Sequence, residues 1–504
     1  MSNGRTGATG TPREAPEATD PHRWWALVVI ALAQLMVVLD ATIVNIALPS
    51  AQRALHMSDG NRQWVITAYT LAFGGLLLLG GRIADLVGRK RTFVLGLVGF
   101  AIASAIGGAA TSSGMLFGAR ALQGAFAAVL APSALSLLTT TFTDPRERGK
   151  AFGVYGALAG SGSAIGFIVG GLLTEYLNWR WCLYVNVPIA VLAVFGAFAL
   201  LHDRPGHREA GLDVPGALFG CGGLVAIVYG FSEAEPRGWT DPLVLALFAA
   251  GIALLTTFIW WQNRAPSPLL PLHIIKDRNR AGCFLTMMLA TIGMFGLFLF
   301  MTYYLQIILG YSPVRTGLAY LPLTAAIITG STQISARLLH RVAPRMLMAP
   351  GMVLAAGGMM LLTRMTVHSS YTTDILPALL LMGLGMGLTF MLVFATATTG
   401  IAPRDSGVTS ATVNTSQQVG GSIGTALLNT IATTSSAAYI TAHLRTGAPK
   451  ALVVPAGVVH GYTVAIWWAA GVMLLAGLTA GLLVTAKAPK HGAPADAPVP
   501  ESVT

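Results

Sequence analysis

Fourteen long apolar runs follow one another along the chain, and no other feature constrains its fold so tightly. Their centres lie near Val37, Ala72, Ile102, Ala128, Ser163, Ala193, Gly223, Ala250, Gly293, Ala326, Ala355, Met386, Gly421 and Met473. A bilayer core takes about 20 apolar residues per helix. Backbone groups in lipid must satisfy one another, so runs that cross it are helices. An all-α membrane protein with fourteen transmembrane helices is expected.

Only 10% of the residues are charged and 54% are hydrophobic, whereas soluble proteins carry about 25% charged residues. Lipid must cover what so few charges cannot. The net charge of +11 does not mark a nucleic-acid partner, because the basic residues sit in short loops and form no single patch. With both termini on one side, 22 of the 31 Lys and Arg fall on that side and 8 on the other, and Arg120 lies inside a run. The positive-inside rule then places both termini in the cytoplasm of a cell-membrane protein, as an even number of spans also requires. Cys182, Cys221 and Cys283 lie within apolar runs and form neither a disulfide framework nor a metal site. Residues 1–22 and 486–504 lack an apolar core and are expected to be disordered cytoplasmic arms; the first is no signal peptide.

Two stretches repeat at an offset of 258 residues: Pro145-Arg146, Gly149, Gly162 and Gly166, then Pro403-Arg404, Gly407, Gly420 and Gly424. Each runs from a basic loop into a Gly-rich span, the fifth and the thirteenth. Repeats of this kind underlie many transporter folds. The expected organisation is a six-helix bundle over 23–203, an inserted helix pair over 210–263 and a second six-helix bundle over 280–485.

A charge at membrane depth costs about 2.5–3.5 kcal/mol even on the lenient insertion scale and is a functional candidate by default. Asp40 lies eight residues before Leu48 and Arg120 six residues after Gly114, both counted from outer span ends. At 1.5 Å per residue they sit about 12 and 9 Å deep, at similar height. They could pair, or compete for a proton or a cationic solute; a purely structural ion pair is the plainer alternative. Gly124, Ala127 and Ala131 follow Arg120 as a small-residue face, and Gln123 could hold water or solute, or bond another helix.

Between spans two and three stands Gly81-Arg82-Ile83-Ala84-Asp85-Leu86-Val87-Gly88-Arg89-Lys90-Arg91. Gly88 suits a sharp turn, and Asp85 can pair with a nearby Arg or meet a helix N-terminus. Such a clasp could form in one conformation and break in another. In the fifth span Gly153, Gly162, Gly166, Gly170 and Gly171 give a smooth helix able to slide or rock. No Gly-x4-Gly-Lys-[Ser/Thr] phosphate loop occurs, so an ion gradient or a partner subunit must supply energy. No nucleophile, metal or cofactor constellation stands out, and no enzyme is expected.

Together these motifs resemble the major facilitator superfamily, and more closely its fourteen-span drug:proton antiporters of the EmrB/QacA type. The resemblance covers Trp24 to Thr485. Leu39-Asp40-Ala41-Thr42-Ile43-Val44-Asn45-Ile46-Ala47-Leu48-Pro49 is similar to the group's first-span motif. Gly81 to Arg91 matches the superfamily's loop signature. Arg120-Ala-Leu-Gln-Gly124 matches the fourth-span motif linked to proton coupling. The fifth-span glycines match the exporter motif, with Phe167 where the family has Pro, which removes an expected kink. Asn178-Trp179-Arg180-Trp181, Asn186-Val187-Pro188 and Asn414 to Gly421 also look typical of the group. His340 stands about where Asp85 does in the first half.

The resemblance implies export by alternating access, two six-helix bundles rocking about a central cavity. Asp40 would take up a proton and Arg120 would tune it. Gln34, Tyr69, Gln123, Asn414 and Gln417 are the candidate cavity residues. The expected substrate is a hydrophobic or amphipathic drug, neutral or monovalent, carried by a monomer on the proton gradient without a cofactor. Export or symport of a single metabolite, and a non-transporting membrane sensor or scaffold, are the alternatives.

Overall fold

The computed structural model describes residues 22–142, 144–202, 211–339, 341–401 and 405–486. Nearly all of the two terminal arms, together with His340 and the Pro403-Arg404 pair, fall outside the described residues. Every regular element among the described residues is helical. The membrane-length segments are α1 Arg23–Ala54, α2 Trp64–Val87, α3 Arg89–Gly108, α4 Ser113–Thr141, α5 Pro145–Tyr176, α6 Trp181–Leu200 and α7 Val214–Arg237. They continue as α8 Pro242–Gln262, α9 Arg278–Ile308, α10 at 313–338, α11 Arg345–Leu362, α12 Tyr371–Thr398, α13 Ser406–Arg445 and α14 Lys450–Leu483. Each contains one of the fourteen apolar centres. α10 breaks at Tyr320, ahead of Pro322, and widens into π-helical turns over Thr329–Ser335.

Large apolar side chains such as Leu192, Phe195, Leu218 and Leu482 are exposed. A soluble monomer rarely shows so much apolar surface, and lipid is what would cover it. Trp24, Trp181 and Trp260 are exposed near helix ends, as an interfacial belt requires. Trp179 is buried. The Arg180 guanidinium lies 4.7 Å from its ring and donates to Gly108 O at 2.9 Å, so the pair plugs the end of α3.

α1–α6 form one packed group and α9–α14 another, while α7 and α8 pack on each other and α7 also lies against α2 and α13. The repeat has a direct packing consequence. Gly162 and Gly170 of α5 face Val38 and Ile43 of α1, and a Cβ at either would come within 2.9 and 3.1 Å of them. In the second group Gly420 and Gly424 of α13 face Met288 and Ile292 of α9. Each glycine-rich helix thus lies on the first helix of its own group, close enough that no larger residue fits.

Asp213 caps α7 and stitches the inserted pair together. It accepts from Gly216 N at 2.8 Å, Trp261 Nε1 at 2.7 Å and Gln262 Nε2 at 2.6 Å. Gln262 in turn accepts from Leu270 N at 3.0 Å. Losing an acceptor that serves several buried donors costs about 1–3 kcal/mol. Asp213→Ala is therefore expected to lower the melting temperature of the purified protein. Unchanged melting would remove this stitching role.

Hydrogen bonds between the two six-helix groups gather at the end away from the start of α1. Gln306 Nε2 donates to Ile46 O at 2.9 Å, Ser422 Oγ to Thr70 Oγ1 at 2.8 Å, Asn429 Nδ2 to Asp59 O at 3.0 Å and Val314 N to Glu175 Oε2 at 2.9 Å. On the other seam Phe167 stacks on Tyr320 at 4.6 Å, and Gly171 lies against the Pro313-Val314 backbone. This far end is closed.

Candidate functional site

Asp40 and Arg120 meet. Both are fully buried, and Arg120 Nη1 lies 2.6 Å from Asp40 Oδ2. The other carboxylate oxygen accepts from Gln123 Nε2 at 3.0 Å and Asn186 Nδ2 at 2.8 Å. Gln123 accepts from Arg120 Nη1 at 2.8 Å and donates to Ser104 Oγ at 2.6 Å. Arg120 Nε donates to Val65 O at 2.9 Å, and its guanidinium covers the Tyr69 ring at 4.3 Å. Side chains from α1, α2, α3, α4 and α6 thus converge on one buried pair. Desolvating two charges costs several kcal/mol per ion, and only good geometry with further hydrogen bonds offsets it. This network supplies both.

The arrangement has a chemical consequence. If Asp40 takes a proton, the Coulombic hold on Arg120 goes, yet Val65 O, Gln123 Oε1 and the Tyr69 ring still hold the guanidinium. The carboxyl can change charge without freeing a bare cation into the bundle. Tyr69 Oη and Asn186 Oδ1 are buried beside the pair and have no hydrogen-bond partner among the described residues.

Gln123 and Tyr69, expected at the solute cavity, are instead buried members of this network. The reason is local: a buried guanidinium needs acceptors and a ring face, and these two lie within a helical turn or one contact of it. Asn186 had no assigned role in the sequence beyond its motif. Its amide reaches Asp40 only because α6 starts at this depth, and sequence distance hides that. The other cavity candidates are half-buried. Gln34 accepts from Tyr155 Oη at 2.7 Å. Asn414 bonds its own helix at Ser410 O, with Gln417 one turn on. Asn414, Gln417 and Gln418 share a helix face, and Gln418 Oε1 has no partner among the described residues.

In the loop, Gly88 turns the chain with φ +104°, a left-handed conformation suited to glycine. Lys90 Nζ donates to Phe198 O and Leu201 O at the end of α6. Arg82 reaches Pro268 O at 3.1 Å. Gly81 and Arg89 are half-buried. Asp85 is exposed and makes no ion pair among the described residues. Of the α5 glycines, Gly166 abuts Thr42 of α1; the surroundings of Gly153 fall outside the described residues. No cluster of three metal-ligating side chains occurs among the described residues.

A helical membrane protein of two repeat-related groups, with a buried ion pair and one closed end, has the build of a transporter. The sequence matches the Major Facilitator Superfamily over residues 30–425, and the chain belongs to that family. It is 57% identical over 475 residues to the puromycin resistance protein pur8 of Streptomyces alboniger, covering 94% of this chain and 93% of that protein. It is 37% identical to the cephamycin export protein CmcT of Amycolatopsis lactamdurans, over 87% of this chain and 90% of that one. Its fold is similar to that of a bacterial homologue of the lysosomal transporter Spinster in an inward-facing, occupied conformation. That likeness has a TM-score of 0.64 at 15% identity, over 92% of this chain and 97% of that one.

Proposed function

We propose that the chain is a proton-coupled antibiotic exporter of the cell membrane, with both termini in the cytoplasm and one proton site at Asp40. The observation that carries this reading is the buried Asp40–Arg120 pair with its three neutral-donor or acceptor neighbours, in a family of transporters. With the termini side cytoplasmic, the closed far end is the outer one. Substrate enters between the bundles from the cytoplasm or inner leaflet. Asp40 then binds a proton from the far side in the outward-facing state, and its release to the cytoplasm resets the cycle. Gln34, Asn414 and Gln417 are proposed to contact the solute, and Asp85 to close a cytoplasmic clasp in the opposite state. Only protons, the substrate and lipid are needed as partners, and a monomer suffices.

A single small-molecule antibiotic is favoured over a broad drug range, because the puromycin resistance protein and the cephamycin export protein are each named for one compound. Puromycin is the first compound to test. Drug-sensitive cells expressing the chain are expected to accumulate less puromycin than cells without it, and a protonophore is expected to erase the difference. Efflux of many unrelated lipophilic cations with no action on puromycin would replace this reading by a multidrug one. No efflux of either, with the protein inserted, would count against export.

A further inference from the structure

Arg62 lies in the turn between α1 and α2, where its charge reads as an ordinary loop residue. It is only 4% exposed. Its guanidinium reaches across to the other six-helix group and lies 3.9 Å from the ring centroid of Tyr303 on α9. Nη2 points at Tyr462 Oη of α14 at 3.5 Å. Phe300 stacks on Tyr462 at 5.2 Å and backs this wall. On its own side Nη1 pairs with Asp59 Oδ1 at 3.0 Å, while Gln52 donates to Asp59 at 2.8 Å and accepts from Tyr303 Oη at 2.5 Å. A cation from one group is thus seated in an aromatic box built by the other.

The fit holds the cation incompletely. Arg62 Nε is buried with no partner among the described residues, and a buried donor left unpaired costs free energy. The box supplies a ring face and one long contact to a phenol. A permanent strut would satisfy every donor. This contact gains enough to close and little enough to reopen.

We propose that Arg62 is the far-side gate latch: seated between Tyr303 and Tyr462 it keeps that end closed, and it must withdraw for the protein to open outward. The proposal rests on the transport reading only in treating the motion as a step of a cycle. Its test reads accessibility and needs no substrate, so failure of the substrate assignment leaves it intact.

The test uses cysteine labelling in the full-length chain in membranes, with Cys182, Cys221 and Cys283 replaced by alanine. Ser422→Cys reports on the closed end, because Ser422 is buried against Thr70, which lies six residues into α2, about 9 Å from its start at 1.5 Å per residue. Gln34→Cys reports on the opposite side. A membrane-impermeant maleimide is added from the far side for the first and from the termini side, in inverted vesicles, for the second. Arg62→Ala is expected to label Ser422→Cys about tenfold faster and Gln34→Cys more slowly. Tenfold corresponds to about 1.4 kcal/mol between the two states. Tyr303→Ala, which empties the box from the other group, is expected to do the same, so misfolding of one variant does not decide the question. Tyr303→Phe keeps the ring and is expected to label close to the parent. Unchanged Ser422→Cys labelling in Arg62→Ala and Tyr303→Ala would overturn the latch. Faster far-side labelling with no fall at Gln34→Cys would also overturn it, since it would mark local loosening without a shift between states.

Discussion

Asp40→Asn is expected to abolish uphill, proton-driven export while leaving the protein folded and able to exchange substrate down its gradient. The side chain keeps its shape and an oxygen that can accept from Arg120; its new NH2 faces the Gln123 and Asn186 amides, and Asn186, whose Oδ1 has no partner among the described residues, can turn its amide to accept from it. What it loses is the charge that a proton could neutralise. Counterflow, in which preloaded substrate drives uptake of labelled substrate, is expected to survive, and protonophore-sensitive efflux to vanish. Arg120→Ala is expected to behave differently. It leaves a carboxylate buried without its cation, and breaking one partner of a buried pair costs about 3–5 kcal/mol. Loss of folded protein should therefore accompany loss of transport. If Asp40→Asn still concentrates substrate against its gradient, the proton site lies elsewhere and the pair is structural.

Gly124→Val is expected to have the other large effect, on folding rather than coupling. Gly124 lies one turn past Arg120 on α4, against the backbone of α2. A Cβ there would run into Tyr69 O and come within 3.0 Å of Ala72 Cβ and Phe73 N. Overpacking costs about 1–3 kcal/mol where neighbours can shift, but here the obstacle is main chain. Moving α2 away would also pull Val65 O and the Tyr69 ring off Arg120. Little monodisperse protein is expected after detergent extraction. Gly118 is on the same helix with open space where its Cβ would be, so Gly118→Val should extract like the parent. Equal yields from the two would contradict this account of how α2 and α4 meet.

Several features are legible in the sequence because lipid punishes exceptions. Asp40 and Arg120 stand out because an ionised side chain within an apolar run must have a reason to be there. Gly162, Gly166, Gly420 and Gly424 stand out because an offset shared by glycines in two spans implies a shared packing role, and they do face α1 and α9. The apolar runs became helices, eleven of them long and apolar enough to cross a membrane among the described residues, because a backbone in lipid has no other partner than itself.

Other features depend on how the helices rotate and close on one another. Asn186 and Ser104 are 146 and 64 residues from Asp40 in the chain, and no spacing rule brings them together. Gln123 looks like a solute contact in the sequence because its polarity is visible there and its neighbours are not. Arg62 looks like a surface charge for a similar reason: a turn residue is exposed or buried according to whether the opposite group of helices closes over it. The sequence alone determined the class of protein, its helical spans and its two membrane charges, since those follow from the cost of polarity in hydrocarbon. Only the tertiary structure decided which groups hold those charges and which end is shut, since both depend on contacts between helices far apart in the chain.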